Sequence, residues 1–262
     1  MPRRSAVRMS FLALALAGAL SSPARANTAI ETETAQIGAK HDFAFSQSLQ
    51  LEETTEGDAM GTLTQFEYGI TDRSEILIEP FFQEWQFPDG MASAHGLGDL
   101  EITPSYEVIL ERGWVPATLL AFKLKVPLGK VPDNSTGKFD YYPYLIFGQH
   151  THGWTFNANL GVDFVTKAPD ADEPGHLQLI WDIEVERSFG GRCTGFLEAF
   201  TDESGVAAAS TALQVELAEH FNVFVAASYD AEGTYILRPG FNVPFETEQT
   251  ERREARLGSD GH

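Results

Sequence analysis

From residue 40 onward, apolar side chains recur at every second position instead of every third or fourth. Trp154, Phe156, Ala158, Leu160, Val162 and Phe164 interleave with Thr155, Asn157, Asn159, Gly161, Asp163 and Val165. Leu177, Leu179, Trp181, Ile183 and Val185 interleave with Gln178, Ile180, Asp182, Glu184 and Glu186, and Leu120, Phe122 and Leu124 stand opposite Ala121, Lys123 and Lys125. A strand turns successive side chains to opposite faces, so each segment has an oily side and a wet side. With no sustained helical stripe anywhere, the chain reads as all-β.

Candidate strands fall at about 40–52, 62–70, 74–86, 98–111, 114–128, 138–149, 153–166, 176–188, 193–200, 206–218, 221–229 and 233–245. The count is about twelve, with ten as its lower bound. In the ninth, Phe196 and Phe200 share a face with Glu198; in the third, Trp85 and Phe87 fall opposite Ile76 and Ile78, which asks for a bulge or a different register. Long connections (53–61, 87–97, 129–137, 167–175) alternate with short ones (71–73, 112–113, 149–152, 189–192, 219–220). That alternation belongs to up-and-down antiparallel barrels of the outer membrane, whose periplasmic turns are short and whose outer loops are long.

A soluble barrel points its oily side inward, a membrane barrel outward, and periodicity alone does not separate them. Three features favour the membrane. Many strands exceed the roughly 9–11 tilted residues that cross a bilayer. Bulky aromatics sit beside the short turns at Trp114, Trp154, Phe189, Phe221 and Phe245, the level of a membrane interface. Twelve strands also enclose a lumen too wide for these polar side chains to fill, so water is its expected filling.

The ends read differently from the middle. Residues 1–8 are basic, residues 9–20 form an apolar run too short to span a bilayer, and Ala24-Arg25-Ala26 supplies small residues for cleavage. Residues 1–26 therefore read as an export signal, residues 27–39 as a periplasmic segment before the barrel, and residues 40–245 as the barrel. Polar residues 246–262 read as a disordered tail. The last strand places Tyr235, Leu237, Pro239, Phe241, Val243 and Phe245 on one face and ends in an aromatic, which resembles the signal by which the barrel-assembly machinery recognises its clients. A formal charge of −20 excludes nucleic acid as a partner, because polyphosphate binding needs a basic face. A lone cysteine, Cys193, excludes an internal disulfide and a cysteine-rich zinc site.

Four motifs carry a family resemblance: Tyr68-Gly69-Ile70-Thr71-Asp72-Arg73, Gly96-Leu97-Gly98-Asp99-Leu100, Leu124-Lys125-Val126-Pro127-Leu128-Gly129 and Thr136-Gly137-Lys138-Phe139-Asp140-Tyr141. Residues 67–166 resemble the outer-membrane channel family named for the meta-pathway of phenol degradation, which more often has Pro-Thr-Gly where this chain has Pro127-Leu128-Gly129. The resemblance implies an exported barrel acting as a transporter, with links to aromatic catabolism, and transfers no catalytic or substrate residues. Physically the motifs read as architecture: a tight turn, a loop re-entering a strand and a strand end.

Enzymatic readings find little. His150-Thr151-His152 lies at a short turn with no Cys or carboxylate beside it in sequence, so solvated histidines are expected there and not a metal site. No Ser has a nucleophile-elbow context, and the stretch from Gly96 to Glu101 precedes a strand where a dinucleotide loop needs a helix. Asp170, Asp172 and Glu173 read as a solvated acidic loop. No catalytic residue, metal or cofactor is expected. Function falls instead to inner-face positions: Glu67, Glu101, Glu107, Asp163, Asp182, Glu184, Glu186 and Glu216, with Lys123, Lys125 and Arg238 as counter-charge. Either these charges brace the wall in pairs or they form an acidic pore that favours cations and neutral solutes. Tyr142 and Tyr144 offer an aromatic solute a stacking surface, or anchor the barrel at the lipid interface. The expected protein is an outer-membrane channel, embedded in lipid, for passive uptake of a small solute. The alternatives are a plugged structural barrel and a soluble periplasmic binding barrel.

Overall fold

The computed structural model describes residues 32–35, 37–55, 57–79, 83–88, 94–128, 138–166, 176–201 and 205–245. The expected export signal (1–26), the tail (246–262), the loop bearing Asp170, Asp172 and Glu173, and Gly129, Thr136 and Gly137 of the motifs lie outside the described residues. Fourteen strands form among those described: β1 (Phe43–Glu53), β2 (Gly57–Thr71), β3 (Ser74–Glu79), β4 (Gln83–Pro88), β5 (Ala94–Leu97), β6 (Leu100–Ile109), β7 (Ala117–Val126), β8 (Asp140–Thr151), β9 (Trp154–Val165), β10 (His176–Phe189), β11 (Cys193–Thr201), β12 (Ala207–Ala218), β13 (Phe221–Asp230) and β14 (Tyr235–Phe245). All pair antiparallel. β1 pairs with both β2 and β14, closing a twelve-stranded ring in which β4 and β5 extend β3 and β6 at one end. Closure satisfies the backbone of every strand in a medium that offers no hydrogen bonds.

The slip expected in the third strand falls at residues 80–82, outside the described residues, and shows as a change of register on either side of them. β2 is paired along its length by β3 and then β4, yet Phe66 faces Ile78 while Thr62 faces Gln83, so four residues on one side answer to five on the other. Two connections expected to be long are mostly strand. β2 begins at Gly57, leaving residues 54–56 between β1 and β2, where the Thr54 hydroxyl donates to the Gly57 carbonyl at 2.9 Å. The interval 87–97 contains the end of β4 and all of β5. In both, Gly, Asp and Ala residues hide the alternation that ladder partners impose. Trp114, expected inside a strand, sits in a turn closed by the Arg112–Val115 bridge and is 91% exposed.

The two faces of the wall are chemically opposite. Leu120, Leu160, Leu177, Leu179, Ile183, Leu197 and Leu217 are exposed, while Glu107, Glu184, Asn157, Asn222 and Asn242 are fully buried between them. Greasy residues therefore look outward and hydrophilic ones inward, the arrangement of a membrane barrel.

The lumen is not simply watery. Residues 32–35 and 37–39, the described part of the expected periplasmic segment 27–39, run inside the barrel as an extended strap with Thr32, Ala35, Ile37 and Ala39 buried. Ala35 and Ile37 pack with Ala117, Leu119, Ala121, Tyr144 and Ile146, and a second buried cluster joins Phe196, Phe200, Ala212 and Ala226. Part of the lumen where water was expected is thus occupied by the strap and by apolar contacts, because apolar side chains on the inner face of β7, β8 and β11 have found apolar partners there. The sequence pattern shows each strand alone and not what crosses its inner face.

Candidate functional site in the lumen

The strap is held by acceptors on the surrounding wall. Its peptide N–H groups donate in turn: Thr32 to Glu198 Oε1, Ala35 to Asn157 Oδ1 at 3.3 Å, Gly38 to Glu75 Oε2 at 3.1 Å, and Ala39 to Asp42 Oδ2 at 2.8 Å. An extended segment that pairs with no strand must find partners for its backbone elsewhere, and these side chains supply them. Glycines clear its path. A Cβ on Gly69 would lie 2.0 Å from the Ala39 carbonyl oxygen, and one on Gly148 would lie 2.4 Å from the Ala35 methyl. The Tyr68–Arg73 motif thus gains a second role beside its turn. Gly69 exchanges backbone hydrogen bonds with His41 and Asp42, the Tyr68 hydroxyl meets His41 Nδ1 at 2.8 Å, and Asp72 accepts from the Lys40 N–H at 3.3 Å.

One side of the lumen balances its charges. Glu101 on β6 takes Lys123 Nζ at 3.2 Å and Lys125 Nζ at 3.9 Å, both from β7. Glu79 accepts from Gln65 Nε2 at 2.9 Å, and Gln65 in turn accepts from Ser46. The Glu33 carboxylate of the strap lies near Lys123 and against the Tyr144 hydroxyl. Tyr142 and Tyr144 stack on each other at 4.5 Å with rings 9° from parallel, on the inner face and not at the lipid interface.

The opposite side does not. Asp182 and Glu184 on β10 and Glu198 on β11 are buried, and Glu184 stands directly across the ladder from Glu198. Asp182 and Glu184 are met by neutral amides, and Ser210 is among the partners of Glu198. Asn159 Nδ2 reaches Asp182 at 3.3 Å, Asn157 Nδ2 reaches Glu184 at 2.9 Å, and Ser210 donates to Glu198. Glu186 follows at the next inner position. The remaining inner-face residues are distributed around the ring: Glu67 on β2 and Asp163 on β9 are half-buried, Glu107 on β6 is fully buried, and Glu216 is half-buried on β12. Buried Arg238 on β14 donates from Nη2 to Gln50 Oε1 at 2.6 Å.

At the short-turn rim, Glu111 accepts from the His150 backbone at 2.8 Å and meets its Nδ1 at 2.6 Å. Partial burial pushes the Glu111 carboxyl up, but the hydrogen bonds and charge of His150 outweigh it and hold the carboxyl below its ordinary range. The carboxylate missing from the sequence neighbourhood of His150 thus arrives from the β6–β7 turn. His152 lies apart in the β8–β9 turn, bonded to Thr151 at 2.8 Å, and among the described residues no group of three His, Cys, Asp or Glu could hold a metal.

On the outer face, Trp114, Trp154, Phe189, Phe221 and Phe245 are exposed beside the short turns. The Arg187 guanidinium lies 4.4 Å over Trp154. Sequence reasoning missed the larger part of this aromatic surface. Phe43, Phe45, Phe66 and Phe241 join Phe221 and Phe245 at the seam where β1 meets β14, with ring centroids 5.1–6.2 Å apart. Strand one alone shows aromatics at alternate positions; only the register reveals that they meet.

The family described as "Putative MetA-pathway of phenol degradation" matches residues 15–234. No curated protein matches the sequence. Among solved structures, an outer-membrane channel from Pseudomonas putida F1 superposes with a TM-score of 0.61 at 10% identity, covering 83% of this chain and 99% of that one. The KdgM porin crystallised with disordered oligogalacturonate gives 0.54 at 13% identity, over 78% and 99% of the two chains. The NanC porin gives 0.54 at 11% identity, over 76% and 98%. At such identities the likeness establishes the fold, which is one shared with outer-membrane channels and porins. An inside-out barrel of this fold resides in the outer membrane.

Proposed function

From the premise that the chain belongs to the MetA-pathway phenol-degradation family, we propose that it is an outer-membrane channel taking up a small solute, aromatic or otherwise hydrophobic, down its gradient. The observation that carries this reading is the reversal of polarity across the wall, with leucines outside and carboxylates, amides and lysines inside. Such a lining gives a solute hydrogen-bonding and charged contacts at each level of descent. Glu67, Glu101, Glu107, Asp163, Asp182, Glu184, Glu186 and Glu216 supply an acidic field, and Lys123, Lys125 and Arg238 oppose it locally. Trp114, Trp154, Phe189, Phe221 and Phe245 seat the barrel at the periplasmic lipid interface. The aromatic end of β14 serves as the contact for the barrel-assembly machinery.

The strap favours a second reading, a structural barrel closed by its own chain. Single-channel recording of the refolded protein, intact and lacking residues 32–38, separates the two. A channel conducts when intact and conducts several-fold more without the strap. Silence of both forms, in barrels that still migrate as heat-modifiable species, overturns the channel.

A further inference from the structure

On the inner face of β9 and β10, buried acceptors outnumber the donors that the described residues bring to them. After the amide and hydroxyl donors are assigned, Asp182 Oδ1, Glu184 Oε2 and the Asn159 carboxamide oxygen are buried with no hydrogen-bond donor. These side chains are 4%, 0% and 3% exposed. Burying an acceptor without a partner costs a few kcal/mol, and two carboxylates facing each other across a ladder repel. The lumen's identified cations are engaged elsewhere, Lys123 and Lys125 on Glu101 and Arg238 on Gln50. Donors brought by a solute would satisfy this face.

The geometry also selects the kind of donor. The unfilled acceptors are spread over Asn159, Asp182 and Glu184 on two strands, which suits a cation that spreads its N–H donors. Glu198 shares its face with Phe196 and Phe200, which belong to the second buried apolar cluster. A carboxylate flanked by two phenyl rings complements an ammonium group carried on an aromatic or alkyl body. The strap already uses the same wall, because the N–H groups of Thr32 and Ala35 donate to Glu198 and Asn157.

We propose that Asn157, Asn159, Asp182, Glu184 and Glu198, with Phe196 and Phe200 as an apolar shelf, form a binding station for an organic ammonium solute. Residues 32–35 of the strap cover that station and are displaced when the solute arrives. This inference rests on the channel reading and names its solute class. Strap and solute compete because both offer N–H donors to one set of acceptors, and the solute adds a charge that the strap lacks.

The test places a nitroxide label at Thr34→Cys in a Cys193→Ala background, in the refolded full chain, and titrates it with benzylammonium and with benzyl alcohol. The two probes share a ring and differ in charge. Saturable mobilisation of the label by benzylammonium is expected, with half-saturation about tenfold higher for benzyl alcohol. A similar shift is expected for benzylammonium in the Asp182→Asn, Glu184→Gln variant, the scale of one lost charge-assisted hydrogen bond. If the double variant does not refold, Glu184→Gln alone is read the same way. Equal responses to the two probes, no response to either, or an unchanged response in the variant overturns the station. Conductance is recorded separately. A barrel that conducts while its strap ignores benzylammonium loses the station and keeps the channel, whereas one that binds benzylammonium yet passes no ions does the reverse.

Discussion

The two sides of the lumen use acids in opposite ways. On β6 and β7, Glu101 sits between Lys123 and Lys125, and the strap adds Glu33 beside Lys123. On β9 and β10, the buried Asp182 and Glu184 take their hydrogen bonds from amides, Asn159 and Asn157. The first arrangement braces the wall, since opposite charges on neighbouring strands hold each other. The second gains little rigidity from its charges and leaves acceptor atoms unfilled. Carboxylates lining one barrel are therefore not one functional set: their partners decide whether they are structural or available to a solute.

Removing charge should act with opposite sign on the two sides. Lys123→Met takes the cation from among Glu101, Glu79 and Glu33 and leaves their carboxylates facing one another. Because a quarter of its side chain is exposed, the expected loss is on the order of 2–3 kcal/mol, below that of a fully buried pair. Urea unfolding in lipid vesicles at pH 8 reads it. A loss under about 0.5 kcal/mol would remove the distinction between the sides.

The strap joins the two sides, and Gly148 lies where it crosses. Gly148→Ala sets a new methyl 2.4 Å from the Ala35 side chain. Either the strap shifts, giving up the Ala35 bond to Asn157, or β8 strains, for a loss of about 1–3 kcal/mol. Limited proteolysis should cut the strap faster in this variant than in the parent. Unchanged cleavage would mean that the strap does not depend on that close passage.

Glu184→Gln, on the unpaired side, should stabilise the barrel by about 1 kcal/mol in the same unfolding assay. It removes a buried carboxylate that faces Glu198 and keeps an acceptor for Asn157. Destabilisation by more than about 1 kcal/mol would show that the carboxylate has a partner after all and that the contrast is wrong.

Most of the barrel is legible in the sequence because its physics is local. Alternation assigns the faces, and turn residues such as the His152-Gly153 pair, both with positive φ, mark the hairpins. The change of register before Trp85 is visible for the same reason, as a slip in that alternation. The strap was not legible. Residues 32–39 have no period, and their partners Glu198, Asn157 and Glu75 are scattered along the chain. One indirect trace exists in Gly69 and Gly148, small residues at inner positions where the strap passes, but a strand glycine reads equally well as a bulge or a kink. The inner-face residues were legible individually, whereas their division into a paired and an unpaired side depends on which strands the register brings together.

The rim pair Glu111–His150 refines the contrast with the smallest effect, because it is an ion pair outside the lumen whose contribution can be titrated. Its carboxyl is held below the ordinary range in the folded protein. A depressed carboxylate contributes stability that is fully present above its unfolded value of about 4.3 and is lost as pH falls through the folded value. The barrel should therefore lose stability on acidification below about pH 4.5. Glu111→Gln should remove that component of the slope while costing at most about 1 kcal/mol at pH 7, since the pair is partly exposed and screened. Raising salt should shrink the difference between parent and variant, as it does for a charge at the edge of solvent. If the acid slope is identical in the two proteins, the pair is not what the rim titrates, and acid sensitivity must be sought on the lumen side, where Asp182 and Glu184 are met by amides.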